Sequence, residues 1–374
     1  MSTYDVVIVG GGLSGEVSAV LLAQRGYSVA LCEAEARLGG RCHTDQVRGF
    51  SLPFGFAYNL LTEEQAGLLT SSSERGAQWI YFSDIPPISY EHKGWIEIPK
   101  ERLTTEQKSF FVRHYAFPKD GVQNLIQAYL KHPKIEIHLS EPVLECFIGG
   151  GGGREREHVI ELVGKSGRFR ARAILMALPF SSLSRLLGAQ IKQAWARKLK
   201  QYRMISCLRL DFVLKSKVSD FKNLIFNLEN NGVGLFTSNL DDSFALNSEQ
   251  ISQWLYFLDE NEVHDKEEIA KKMRAAKRFI KKAFPDFFDK TTWERIGIMV
   301  DFLPQKVEPF QTQEWTNLKN VFWARGGLSA ADGRHQWFDE LLKEVGKTEE
   351  YLNSFSRKED ENISNPRLQH KTPG

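Results

Sequence analysis

Three residues near the start have the types and spacing to cradle a diphosphate: Gly10, Gly12 and Gly15 in Gly10-Gly11-Gly12-Leu13-Ser14-Gly15. Gly10 permits a tight turn, Gly12 lets backbone approach a diphosphate, and Gly15 lets the next helix pack against the preceding strand. A helix starting near Leu13 points unpaired N–H groups and its positive dipole end at phosphate oxygens. The elements that must position this turn flank it. Val6-Val7-Ile8-Val9 is a short apolar run of the kind that becomes a buried parallel strand, and Val29-Ala30-Leu31-Cys32 reads as the next strand. Glu33 follows at its end, where a carboxylate accepts hydrogen bonds from both hydroxyls of an adenosine ribose and repels a 2′-phosphate, which disfavours an NADP-type ligand. A glycine-rich turn alone is common and is often purely structural. Strand, turn, helix, strand and acid in this order specify a dinucleotide site.

A second motif follows at once. Arg37-x-Gly39-Gly40-Arg41-x-x-Thr44 resembles the segment after the ribose-binding acid in the flavin-containing amine oxidase and phytoene desaturase superfamily. The resemblance implies FAD as cofactor, with Gly39 and Gly40 close to its diphosphate. Arg37 and Arg41 either give forked donors to phosphate or anchor the loop; the bland reading is a Gly-Gly turn with two solvated arginines. Leu13, Ser14 and Ala34 complete the expected set around the two motifs. Gly55, Phe56 and Ala57 stand where the superfamily passes the flavin edge, although Pro53 and Phe54 replace its common polar residue. Val143, after Pro142, matches a position whose backbone contacts adenine in relatives. No cysteine follows Cys207, whereas mitochondrial monoamine oxidases attach flavin through a C-terminal cysteine, so the FAD is expected to be non-covalent.

The resemblance further implies hydride removal from a C–N or C–C bond of a small-molecule substrate, with O2 or another acceptor reoxidising the flavin. The substrate is an amine or amino acid, or a polyene or porphyrinogen. No catalytic residue is assigned. Arg209 falls near the position where amine oxidases often hold a water with a lysine, but a strand arginine facing solvent or a carboxylate is the simpler reading. The C-terminal flavin contact departs from the superfamily: Arg325 and Gly326 stand where Gly and an acid are expected. A flavin-binding protein with lost or weak turnover is therefore the competing class.

The 374 residues carry 49 basic and 47 acidic side chains, so no bulk charge draws the chain to nucleic acid or anionic membrane. No run of 18 apolar residues exists, and neither a membrane span nor a cleaved leader is expected. Four cysteines without CxxC spacing suit reduced thiols and a cytoplasmic location. The histidines form no HxxxH or HxH pair, so no metal site is expected. Gly149 to Gly153 read as a hairpin tip. Ile269, Met273, Ala276, Phe279 and Ala283 make a core stripe beneath a basic helix face whose default reading is solvation.

The expected fold class is α/β: a Rossmann-like, doubly wound FAD-binding domain with a sheet-plus-helix substrate domain inserted. Residues 1–80, 118–190 and 310–352 form the first, 81–117 and 191–309 the second, and 353–374 a disordered tail.

Overall fold

The computed structural model describes residues 2–53, 78–108, 110–111, 114–119, 126–127, 130–148, 160–187, 204–246, 248–304, 320–324 and 335–364. The first strand, β1 (Ser2–Val9), leads through a glycine turn into α1 (Leu13–Gln24) and back into β2 (Val29–Cys32). A hairpin follows, β3 (Thr44–Val47) and β4 (Phe50–Pro53). Next come β5 (Trp79–Phe82), a second hairpin of β6 (Ile88–Glu91) and β7 (Gly94–Glu97), and β8 (Tyr115–Pro118), which pairs back on β5. The chain continues through β9 (Ile135–His138), β10 (Val143–Ile148), β11 (Ile160–Gly164) and β12 (Arg168–Met176). Then come β13 (Met204–Leu214), β14 (Ile225–Asn227), β15 (Gly232–Leu235), β16 (Gln250–Leu258), β17 (Thr291–Pro304) and β18 (Val321–Trp323).

These strands make two seven-stranded sheets and two two-stranded ones, β3-β4 and β5-β8. In the first, β1 lies between β2 and β12, parallel to both; β2 pairs β9 and the inner half of β12 pairs β18, also parallel. The sheet is thus wound outward in both directions from β1, and the turn after β1 lies where the chain's two paths diverge, the usual ligand crevice of such sheets. The antiparallel meander β10-β11 extends the sheet beyond β12. Both faces of β1 are covered. Val6 and Ile8 pack with Leu13, Val17 and Val20 of α1, while Val7 and Val9 pack with Leu183 and Leu187 of the helix Phe180–Leu187. Continuous apolar sequence in a parallel strand has this cause.

The second sheet runs β17-β13-β16-β15-β14-β6-β7, so residues 88–97 and 204–304 build one surface. Its central strands β13 to β16 are buried on both faces, whereas the edge strand β17 alternates, with Ile296, Ile298 and Val300 exposed. Leu208, Leu210 and Phe212 of β13 pack with Trp254 and Tyr256 of β16 beneath Ala276, Ile280 and Ala283 of the basic helix Lys266–Ala283. That helix is capped by Asp265, whose carboxylate accepts from the N–H groups of Glu267 (2.8 Å) and Glu268 (3.3 Å). Its apolar stripe is the one read from the spacing. Two of its outward lysines are neutralised, Lys272 by Glu262 at 2.9 Å and Lys277 by Glu294 at 2.7 Å. The final helix runs His335–Ser364, so 353–364, expected to be disordered, continues a helix already seated by Leu341, Val345 and Leu352. Once a packed segment exists, each added residue gains a hydrogen bond without a new nucleation cost.

The other face of β13 carries a buried ionic cluster. Arg209, 3% exposed, does not face solvent; its Nε donates to Asp211 Oδ2 at 2.7 Å. Arg295 of β17 donates from Nε to the same oxygen at 2.8 Å, and Gln253 of β16 donates to Oδ1 at 2.8 Å. Arg295 also reaches Asp45 of β3 through Nη1 at 2.5 Å, and Arg37 and His43 pair with that carboxylate at 3.2 and 3.0 Å. The cluster therefore ties the second sheet to the loop after the second glycine motif. Removing its central anion leaves the Arg209 guanidinium buried without its carboxylate, while Arg295 keeps Asp45, and breaking such a buried pair costs about 3–5 kcal/mol. Asp211→Ala is expected to lose that much in urea unfolding, and Arg209→Leu added to Asp211→Ala should recover part of it. A single variant within 1 kcal/mol of the parent, about the cost of a surface change, would show that the cluster is not held by Asp211.

Candidate functional site

The glycine turn adopts the conformation that its residues permit. Gly10 has φ of +107°, and its N–H donates to Cys32 O at 2.8 Å, closing the end of β1 on the end of β2. A Cβ on Gly15 would lie 1.9 Å from Gly10 O, so α1 can seat against the strand only with glycine there. Gly12 is different. It is the N-cap of α1, no side chain caps that end, and the nearest atom to an added Cβ is Gly40 Cα at 3.9 Å. No side chain therefore caps the positive end of the helix dipole, and an added Cβ at Gly12 meets no closer described atom, a setting that suits an anion. Leu13 and Ser14, in the first turn, are both buried.

The second glycine motif closes directly on the first. Gly39 N–H donates to Gly11 O at 2.8 Å, and Gly39 bridges Gly12 as an isolated β-bridge. Gly40, with φ of +49°, places its missing Cβ 3.0 Å from Gly12 Cα. Arg41 anchors the loop rather than reaching outward: Nη1 donates to Phe302 O at 2.8 Å and Nη2 to Asp301 O, both on β17. Arg37 is exposed and paired with Asp45. Of the two roles open to these arginines, loop anchoring is the one present.

Glu33 stands at the C-terminal end of β2, half-buried. Its Oε2 accepts from Gly11 N–H at 2.5 Å and its Oε1 from Glu35 N–H at 2.8 Å. A carboxylate has about four lone-pair sites, so two remain to accept from a diol. Ala34 beside it is exposed. The β9–β10 connection folds back on this point, with Glu141 N–H donating to Glu33 O at 2.8 Å and Ser140 N–H to Glu35 O at 2.9 Å. Val143, two residues on, is half-buried at the start of β10. The fold thereby brings together Gly10, Gly12, Leu13, Ser14, Gly15, Glu33, Ala34, Gly39 and Gly40, with Val143 on the neighbouring connection. Gly55, Phe56, Ala57, Arg325, Gly326 and Gly149 to Gly153 lie outside the described residues.

Sequence reasoning missed two features. Glu16, inside the apolar face of α1, is fully buried with neither carboxyl oxygen hydrogen-bonded; its signal was an acid between Gly15 and Val17 in an otherwise apolar helix. The Asp45–Arg295–Asp211–Arg209 cluster was signalled by the alternation Leu208-Arg209-Leu210-Asp211-Phe212, which puts two charges on one strand face. Cavities of about 340 and 650 Å³ lie against the second sheet, the larger lined by Tyr90, Arg102, Arg278 and Phe279, and neither includes the glycine turn. Among the described residues, no group of three or more His, Cys, Asp or Glu is placed to hold a metal, and no helix is long and apolar enough to cross a membrane.

Residues 8–68 match the model of the NAD(P)-binding Rossmann-like domain family. Nicotine dehydrogenase of Pseudomonas putida is 46% identical over 55 residues, which is 15% of this chain and 11% of that protein. Among the first curated relatives, which include amine oxidases and 4,4'-diaponeurosporene oxygenases, the matched segment spans no more than 24% of the relative's own length. Solved structures match over nearly all of the chain. An oxidoreductase from Methanosarcina mazei has a TM-score of 0.72 at 12% identity, covering 94% of this chain and 100% of that one. Cyclohexylamine oxidase from Brevibacterium oxydans has a TM-score of 0.66 at 12% identity, covering 94% and 99%. The chain therefore has the fold of these solved structures, and residues 8–68 match the NAD(P)-binding Rossmann-like domain family.

Proposed function

We propose that this protein is an FAD-dependent oxidoreductase of the amine oxidase type, removing hydride from a C–N or C–C bond of a small or apolar substrate. One observation carries the reading: two glycine segments joined backbone to backbone beside an uncapped helix N-terminus, with Glu33 at the end of the adjacent strand. The residues present fit the cofactor. A Cβ at Gly12 would enter the open side of the turn, and Glu33 keeps acceptor capacity for a ribose diol. The amine oxidases among the relatives and neighbours support the same reading.

In this reading Gly12, Leu13 and Ser14 present N–H groups to the diphosphate, Glu33 and Ala34 hold the ribose edge, and Val143 meets the adenine through its backbone. Arg41 holds the second loop against β17, so that Gly39 and Gly40 stay within reach of the diphosphate. Gly55, Phe56 and Ala57 remain proposed contacts near the flavin edge. FAD held there would supply the hydride-accepting chemistry, while the chain supplies pocket shape, polarity and water exclusion. O2 or another acceptor takes up the electrons. The Rossmann-like unit holds the cofactor through residues 1–80, 118–190 and 310–352. The second sheet, within 81–117 and 191–309, faces the substrate. Arg209 sits on that sheet's inner face with its charge opposed by Asp211, which makes it a wall residue rather than a free cation. A desaturase-type reaction on an apolar polyene is the alternative within the same site. The four free, buried cysteines support a reducing, cytoplasmic setting.

Anaerobic addition of candidate amines and polyenes to the FAD-loaded protein tests the reading. Bleaching of the flavin by one class assigns the bond oxidised, and bleaching by neither over a broad panel would overturn an active oxidase. Acid precipitation should leave all yellow colour in the supernatant, since the cysteines nearest the turn, Cys32 and Cys42, are buried; colour in the pellet would contradict non-covalent binding. Glu33→Ala should raise the FAD dissociation constant by about 10-fold to 100-fold, the equivalent of one or two charged hydrogen bonds. Gly12→Ala should leave the thermal stability of the cofactor-free protein unchanged while weakening FAD, because its Cβ has room in the turn but not beside a diphosphate. Gly15→Ala should destabilise the fold itself.

A further inference from the structure

Glu16 is used by nothing described so far. Its side chain is fully buried in the first turns of α1, both carboxyl oxygens are without hydrogen-bond partners, and no described cation pairs with it. Buried polar groups are almost always satisfied, so an orphaned carboxyl calls for an explanation. Its backbone N–H donates to Gly12 O at 3.0 Å, the first hydrogen bond of the helix. Helical side chains lean toward the N-terminus, which puts this carboxyl over the turn that leads from Gly12. Two groups fix the location further. The charge of Glu33 acts on Glu16, and the thiol of Cys42 in the second glycine segment is raised by its burial first and by Glu16 second. Burial first, and the charge of Glu33 second, push the Glu16 carboxyl up to about 8.

Among the described residues, these charged groups around α1 are committed elsewhere. Arg41 is bonded to β17 carbonyls, and His43 is paired with Asp45. On β9, Glu136 is bonded to Tyr4, which packs on the opposite face of the sheet, and His138 is paired with Glu136. Asp5 of β1 is paired with Arg172. On the final helix, Glu349 pairs with Arg25 at the far end of α1 and Glu344 with Lys347.

We propose that Glu16 is a further residue of the dinucleotide site, present as the neutral acid when the anionic diphosphate is bound and opposing that diphosphate when it ionises. The inference rests on the FAD reading above. A diphosphate carries two negative charges to the N-terminus of α1. A carboxylate beneath the same turn works against the helix dipole that attracts them; a neutral carboxyl does not. Binding above the ionisation range therefore requires one proton from solvent to add to the Glu16 carboxylate for each cofactor bound, with no other bond made or broken. Linkage gives the sign. A group whose affinity for protons is higher in the bound state makes binding independent of pH below its free-state ionisation and progressively weaker above it, by at most about 10-fold per pH unit.

The test uses the full chain titrated with FAD by quenching of flavin fluorescence from about pH 6 to about pH 9.5, a range that brackets the raised carboxyl. Calorimetry in buffers of different ionisation enthalpy counts the protons. The parent should bind with constant affinity below about pH 8, weaken above it, and take up close to one proton per FAD on the alkaline side. Glu16→Gln, a neutral isostere, should bind with affinity independent of pH and no proton uptake, and Glu16→Leu should agree with it. Equal slopes and equal uptake in parent and Glu16→Gln would overturn the proposal. Should Glu16→Gln not fold, the proton count of the parent decides alone, and a count of zero on the alkaline side overturns it. A parent that binds no FAD at any pH would overturn the cofactor reading itself, an outcome distinct from pH-independent binding.

Discussion

The contact on which the rest of this molecule depends is the hydrogen bond from Gly39 N–H to Gly11 O. It joins two segments nearly thirty residues apart at a distance only backbone can reach, with an added Cβ on Gly40 falling 3.0 Å from Gly12 Cα. Side chains at these positions would hold the segments apart. With the segments joined, Gly40 stands beside Gly12 at the positive end of α1. The same contact directs the chain after Gly40 toward the second sheet, where Arg41 meets the carbonyls of β17.

Charge is arranged around this contact in an economical way. The helix N-terminus has no side-chain cap, while the N–H of Gly11 in the turn is already satisfied by Glu33. Glu33 thus shapes the turn as well as offering acceptors. On the far side of the loop, Asp45 and Asp211 hold Arg295 between them, and Arg209 and Gln253 complete the set. Buried ion pairs contribute little net stability compared with apolar packing, but they penalise any arrangement that leaves a member unpaired. Placed between the loop and the second sheet, the cluster fixes how the two meet. Glu16 is the exception to this economy, since its carboxyl is buried beside the same turn without a partner.

The sequence by itself determined the local elements near the turn. Val6 to Val9 and Val29 to Cys32 are too apolar for an exposed strand, and Gly10, Gly12 and Gly15 are spaced for one specific turn. The apolar stripe of the basic helix lies where its spacing put it. The position of Glu33 at the end of β2 was legible because it depends on distance from the turn along the chain. The extent of the final helix was less legible, because charged residues past Leu352 read as a tail although they extend a helix seated by tertiary contacts.

Tertiary structure alone decided which charges were buried and which backbone groups met. Arg209 and Asp211 read equally well as solvent-facing residues of an exposed strand, because alternation records that two faces differ and not what covers each of them. Arg41 read equally well as a phosphate ligand or an anchor, because its partners, the carbonyls of Asp301 and Phe302, carry no side-chain signature. Glu16 gave no sign of being unpaired, since whether a buried carboxyl finds a partner depends on residues brought to it from β2 and the second glycine segment. Local pattern is set by the order of residues, whereas satisfaction of buried polar groups is set by contacts between residues far apart in that order.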